Sequence, residues 1–427
     1  MSTPSSETGA PEPGKAVEPK CRFCSAALSR VFLDLGLSPL CQTQISPHQV
    51  NQGEAFYPLR VFVCDSCYLV QLDEYVSPDV IFGENYPYFS SYSESWVRHA
   101  KTYADRMVAE YGIGKDSFVV EIASNDGYLL QHFADLGVPC LGIEPAESVA
   151  NAAREKGIET ITRFFGEQTA VDVAREYKKA NLVLGNNVLA HVPDLNDFVA
   201  GLREVLADNG MITMEFPHLM RLVLEHQFDT IYHEHFSYFS FSTVSRVFAE
   251  HGLVIFDVEE LPTHGGSLRI YAAKADSGDL SVSPRAADLL HRERSMGFET
   301  IEFYMDFEEQ VRETKRALLE FLLTAKRAGK SVVGYGAPGK GNTLLNYCGI
   351  RQDFLDYTVD LNPHKQGTYT PGSRIPIHDP AMILKTKPDY ILILPWNLRK
   401  EITKSMAFVR EWGCRFVVPI PTVKILD

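Results

Sequence analysis

Apolar positions along most of this chain fall into two alternating periods. In 91–111, Trp96, Ala100, Tyr103, Met107 and Tyr111 recur at helical spacing, and Gly112 supplies the stop. Phe118-Val119-Val120-Glu121-Ile122 then reads as a short buried strand. A turn and a helix over 129–136 lead to a second strand at 140–143. Further helix-strand units end in strands at 182–184 and 211–214, and 268–271 closes the set as a late strand. Strands alternating with helices predict an α/β fold with a parallel, doubly wound sheet.

The pattern differs at both ends. Over 21–83 it gives short strands and turns with little core, and 60–63 and 68–70 are spaced like a hairpin. A charged, helical stretch over 290–329 precedes a new strand-turn-helix from Ser331, with more strands at 354–359 and 390–394. The division expected is a disordered Ser/Pro-rich tail (1–18), a small module (19–85), a central α/β domain (86–285), and linking helices with a smaller α/β domain (286–427).

Charge narrows the partners. The 427 residues carry 41 Lys and Arg against 55 Asp and Glu, a formal charge of −14. Binding a nucleic-acid backbone needs a basic excess, so no nucleic-acid partner is expected. No apolar run is long enough to span a membrane, and 1–19 lacks the apolar core of a signal peptide, so a cytoplasmic protein is expected.

Four of the eight cysteines form two C-x2-C pairs, Cys21/Cys24 and Cys64/Cys67. Two such turns complete a tetrahedral thiolate site. With four sulfurs no position stays open for water, so the expected metal is a structural zinc stapling a module too small to fold alone.

The turn after the first central strand reads Glu121-Ile122-Ala123-Ser124-Asn125-Asp126-Gly127. It is not a dinucleotide fingerprint, and its acids would repel a pyrophosphate. Glu144, ending the second strand, stands where a ribose diol is held. Singly, each acid is better explained as a helix cap or first-turn carboxylate. Together, Glu121, Ser124, Asn125, Asp126, Gly127 and Glu144 suit a cationic ligand with hydroxyls, such as S-adenosylmethionine. Asn187 and His191, after the strand at 182–184, fall where its methyl end would lie.

Tyr232-His233-Glu234-His235-Phe236-Ser237-Tyr238 gathers groups able to move a proton near neutrality. Metal chelation and plain packing compete with that reading, although the zinc-protease spacing is absent. Glu84-Asn85-Tyr86-Pro87-Tyr88 joins rings to polar tips, which suits a sugar-like ligand as well as a domain seam. The loop at 334–343, with Lys340 and Asn342, offers amides and a cation to a pyrophosphate, or is simply a glycine-rich turn.

These motifs in this order resemble the S-adenosylmethionine-dependent sugar C-methyltransferases, which act on carbon 3 of nucleotide-linked 4-keto-6-deoxy sugars. The resemblance covers nearly everything after Lys20. It rests on C-R-F-C and C-D-S-C, Y-P-Y-F-S-S-Y at 86–92, S-N-D-G at 124–127, N-N-V-L-A-H-V at 186–192, Y-H-E-H-F-S-Y at 232–238, and G-Y-G-A-P-G-K-G-N-T at 334–343. It implies a zinc module, a class I methyltransferase domain and a C-terminal α/β domain, a monomer or weak dimer, and a place in antibiotic deoxysugar biosynthesis. It implies His235 as the base, with Tyr86, Tyr232 and Glu234 around the sugar and Tyr88, Asn187, His191, Lys340 and Asn342 among the acceptor contacts. The first motif departs from the family's D-I-G-S-N-D-G form in reading E-I-A-S-N-D-G. An O- or N-methyltransferase, or a nucleotide-sugar-binding protein without turnover, are the competing readings.

Overall fold

The structure, a computed structural model, describes residues 18–82, 89–278 and 281–426. Almost all of the expected tail, and Tyr86 and Tyr88, lie outside these residues. Three sheets organise the chain. The first is antiparallel, built from β1 (Arg30–Ser38), β2 (Tyr57–Val63) and β3 (Val70–Leu72).

The central sheet contains β4 (Val119–Ile122), β5 (Cys140–Ile143), β6 (Thr160–Ile161), β7 (Ala180–Asn186) and β8 (Leu206–Pro217). Between it and the first sheet lies β9 (Ser237–Tyr238), which pairs antiparallel with β3 as the fourth strand of that sheet. The central sheet is completed by β10 (Leu253–Leu261) and β11 (Ser267–Lys274), in the order β6-β5-β4-β7-β8-β11-β10. Its first five strands are parallel, and β11 inserts antiparallel between β8 and β10. The strand expected to close the sheet is therefore interior. All eight β11 residues are buried, whereas β10 alternates between buried and half-buried positions as an edge strand does.

Helices Pro284–Met296 and Phe307–Arg327 lead to the third sheet. It holds β12 (Val332–Tyr335), β13 (Thr358–Val359), β14 (Ile377–His378), β15 (Tyr390–Ile393), β16 (Arg415–Val418) and β17 (Lys424–Leu426). The order is β14-β13-β12-β15-β16-β17, parallel except for β17. The strand expected over 354–359 is confined to its last buried pair.

The N-terminal module does not stand alone. One contiguous apolar core joins residues of all three sheets, and Phe32 of β1 stacks on Phe307 with ring centres 4.8 Å apart. Among the described residues no helix is long and apolar enough to cross a membrane.

Both parallel sheets change winding direction beside their first strand, β4 in one and β12 in the other. Open α/β sheets bind ligands in the crevice at that point. Here the two crevices open into one cavity.

Candidate active site and zinc centre

The two cysteine turns are near copies. Ser25 and Tyr68, each directly after the second cysteine of its pair, are left-handed at φ 61°. Each donates its amide to the carbonyl of the first cysteine, at 2.9 Å to Cys21 and 3.0 Å to Cys64. The Tyr68 turn is why the following strand starts at Val70. The four Sγ atoms lie within 4.8 Å of one another, with Cys21–Cys67 and Cys24–Cys64 at 3.5 Å. Zinc–sulfur bonds of about 2.3 Å in a tetrahedron separate sulfurs by about 3.8 Å. The residues fit a structural zinc site.

A cavity of about 540 Å³ lies between the carboxyl ends of the central strands and the start of helix Gly339–Cys348. That volume is ordinary for a small-molecule site. At one end it is lined by Asn125 after β4, Ile143 and Glu144 at β5, and Phe164, Phe165 and Phe198. Ala123, Asn125 and Gly127 all have positive φ, so the turn bends sharply and turns its amides toward β5. Glu144 uses both oxygens there, accepting the amides of Asn125 at 3.0 Å and Ala146 at 2.9 Å. Burial pushes its carboxyl up to about 7.

The other acids of this turn are not among the lining residues. Glu121 is fully buried, and neither carboxyl oxygen has a hydrogen-bond partner among the described residues. Burial, with Glu144 and Asp126 nearby, holds its pKa well above the usual carboxylate range. Asp126 meets Lys156 Nζ at 3.2 Å. Ser124 is buried beside Gly142, and Gly127 packs close to Ala153 and Ile158. Of the three carboxyls, only that of Glu144 belongs to the cavity lining.

The opposite end carries the histidines. His235 and His191 sit edge to face with ring centres 4.7 Å apart, and Tyr232 lies 4.1 Å from His235. His235 Nδ1 is 2.8 Å from the carbonyl oxygen of Thr230. A carbonyl only accepts, so Nδ1 carries the proton and Nε2 keeps its lone pair. Burial, reinforced by His191, holds the His235 pKa well below 6.5. His191 is pushed down to about 4 by burial. Tyr232 and Glu234 line the same space, and Cys41 Sγ approaches Glu234 Oε1 at 3.6 Å. His233 faces away, with Nε2 3.1 Å from the Pro58 carbonyl. His233 and His235 thus do not form a chelating pair.

Lys340 enters from the third sheet. Its Nζ is 3.0 Å from Asn397 Oδ1 and 4.8 Å from the ring centre of Trp396, and burial lowers its pKa. Asn342 does not line the cavity; its amide is given to the Cys41 carbonyl at 2.6 Å.

Sequence reasoning missed His264. It sits in a left-handed turn between β10 and β11, lines the cavity, and its Nε2 is 3.0 Å from Asn187 Nδ2. Burial pushes it down to about 4. The Gly265-Gly266 pair marks the turn in the sequence, but nothing there shows that the turn faces the cavity. Asp229 was missed too: it accepts Trp396 Nε1 at 2.7 Å and so docks the third sheet onto the central one.

A seven-stranded sheet with one antiparallel strand next to its edge and a cavity at the switch point is the arrangement of a class I methyltransferase. Family models and a sequence relative agree. A methyltransferase domain model matches residues 96–258, a C-methyltransferase C-terminal domain model matches 262–421, and a family model for zinc binding matches 21–82. The C-methyltransferase NovU of Streptomyces niveus is 36% identical over 408 residues, 96% of this chain and 97% of that protein. Among solved structures, magnesium protoporphyrin IX methyltransferase from Synechocystis PCC 6803 with bound SAH is 16% identical. It covers 42% of this chain and 83% of its own, at a TM-score of 0.34. The PH0226 protein of Pyrococcus horikoshii OT3 is 17% identical, covering 48% and 99%, at 0.37. The chain belongs to the S-adenosylmethionine-dependent, zinc-binding C-methyltransferases.

Proposed function

We propose that this enzyme methylates carbon 3 of a nucleotide-linked 4-keto-6-deoxy sugar, with dTDP as the nucleotide and His235 as the base. When bound, S-adenosylmethionine supplies an electrophilic methyl group on a cationic sulfur. Glu144 would accept hydrogen bonds from its ribose, and Ile143, Phe164 and Phe165 would enclose its adenine. Asn125 and Asn187 would meet its methionine half.

The observation that carries the reading is the His235 tautomer. A neutral imidazole whose Nδ1–H is held by a backbone carbonyl presents a lone pair at Nε2, and its low pKa keeps it unprotonated at neutral pH. Such an imidazole is a weak base, so it needs an acidified carbon. A ketone at carbon 4 acidifies the proton on carbon 3 in this way. Tyr86 and Tyr232 would hydrogen-bond the developing oxyanion, a contact worth roughly 3 kcal/mol per donor, and Glu234 would accept from a sugar hydroxyl. Tyr88 and His191 would complete the sugar pocket. Lys340 would meet the pyrophosphate, and the protein would act as a monomer.

C-methyltransferase membership sets an oxygen or nitrogen acceptor behind a carbon one. Methyl-labelled donor incubated with a dTDP-linked 4-keto-6-deoxy sugar should leave its label on carbon 3, read by carbon NMR. Label on oxygen, or no label on any such sugar, overturns the proposal.

A further inference from the structure

The segment that carries His235 is bound by backbone to the zinc module. β9 pairs with β3, Val70 opposite Tyr238 and Gln71 opposite Ser237. The Leu72 amide donates to the Phe236 carbonyl at 3.0 Å, and the Phe236 amide donates to the Ala190 carbonyl at 2.7 Å. Phe236 therefore sits between the zinc module and the His191 loop, one residue from the proposed base.

Arg22, the second residue of C-R-F-C, closes this junction. Its guanidinium donates to the Pro193 carbonyl at 2.5 Å and to the Leu72 carbonyl, and lies 5.3 Å from the ring centre of Phe236. Its amide donates to Gln71 Oε1 at 2.8 Å, and Gln71 Nε2 donates to Cys21 Sγ at 3.1 Å. Among the described residues no carboxylate forms an ion pair with Arg22. Its planar fork instead spans carbonyls on two domains, a task a lysine ammonium does poorly. One of those carbonyls belongs to Pro193, which itself lines the cavity.

We infer that Arg22 is a positioning residue for methyl transfer: it locks the first zinc turn, the Pro193 wall and Phe236 together, and so holds His235 in register with the donor end. The inference rests on the reading of His235 as the base. The zinc turn is then part of the scaffold that aims the base, as well as a staple for its own module.

The test uses the full-length, zinc-loaded protein with R22M, R22K and, separately, H235N. R22M should keep its zinc and its affinity for the donor. Its kcat should fall about tenfold to a hundredfold, the cost of a small misplacement of a reacting group, with acceptor KM little changed. R22K should recover part of that loss. Hydrogen exchange should quicken at amides 232–238 and stay unchanged at 336–343. Unchanged kcat in R22M, or exchange that quickens equally throughout the chain, overturns the positioning role. Should R22M lose zinc, F236L removes only the ring beneath the guanidinium and must give the same split of kcat from KM. H235N separates the two levels: turnover retained there sinks the base itself, whereas an inactive H235N beside an unaffected R22M sinks only the positioning role.

Discussion

The turns after β4 and β12 use the same backbone device with opposite charge. In each, an acid at the end of the neighbouring parallel strand accepts an amide of the turn. Glu144 takes the Asn125 amide at 3.0 Å, and Asp360 takes the Ala337 amide at 2.7 Å. Each turn contains a left-handed residue, Asn125 in one and Gly336 in the other. What differs is the group each presents to the shared cavity. The central sheet presents Glu144, while the third sheet turns Asp360 inward on its own loop and presents Lys340. The proposed cationic donor and anionic acceptor would need this division. On the proposed reading, two sheets of similar winding become complementary half-sites through the identity of one side chain each.

The deepest cut into this comparison falls between the half-sites. His235→Asn keeps the shape of the ring's neighbourhood but removes the lone pair. Turnover should drop by about a thousandfold, within the range for loss of a general base. Donor affinity, measured by calorimetry, should not change. Proton exchange at carbon 3 of the acceptor should stop as well, since it needs the base but no methyl transfer.

A smaller effect separates the two charges. Lys340→Met should raise acceptor KM roughly tenfold to a hundredfold and leave the donor Kd alone. Glu144→Gln should weaken the donor by about tenfold and leave acceptor KM alone. Both figures follow from about 1.5–3 kcal/mol for a hydrogen bond to a charged group. Steady-state kinetics in each substrate reads the split. If both variants harm both substrates equally, the two ends are not separate half-sites.

Local signals explain what the sequence made legible. The Cys21/Cys24 and Cys64/Cys67 turns and strand Cys140–Ile143 are written in contiguous residues and stand where their pattern put them, and the helix expected over 91–111 runs over Glu94–Tyr111. β10 escaped because an edge strand half-exposed along its length, with Glu259 and Glu260 near its end, lacks the apolar run of its neighbours. His264, Asp229 and Arg22 meet partners 77, 167 and 171 residues away, Asn187, Trp396 and Pro193. No local period encodes such distances. The charges of Glu121 and Asp126 were misleading for a related reason: composition counts a carboxyl as an anion wherever it lies. Burial pushes the pKa of the first well up, and Lys156 pairs the second.

The smallest expected effect is a difference in pH response between the two ends. Glu144 is raised to about 7 by burial, and His235 is lowered well below 6.5 by burial and His191. As pH falls through 7, Glu144 gains a proton and its charge is lost, so affinity for the cationic donor should weaken between about pH 8 and 6. His235 stays neutral over the same interval, because a lowered histidine pKa postpones protonation to more acid conditions. kcat at saturating donor should therefore show no acid limb near 6.5. Linkage adds a check on the ligand-free protein. The folded state holds the Glu144 proton up to about 7, while the unfolded chain releases it near 4.5, so this group's contribution is fully present below 4.5 and declines as pH rises through 7. Donor binding should then raise Tm more at pH 8 than at pH 6. An equal shift at both values would mean that Glu144 does not hold the donor, and the charge contrast between the half-sites would reduce to Lys340 alone.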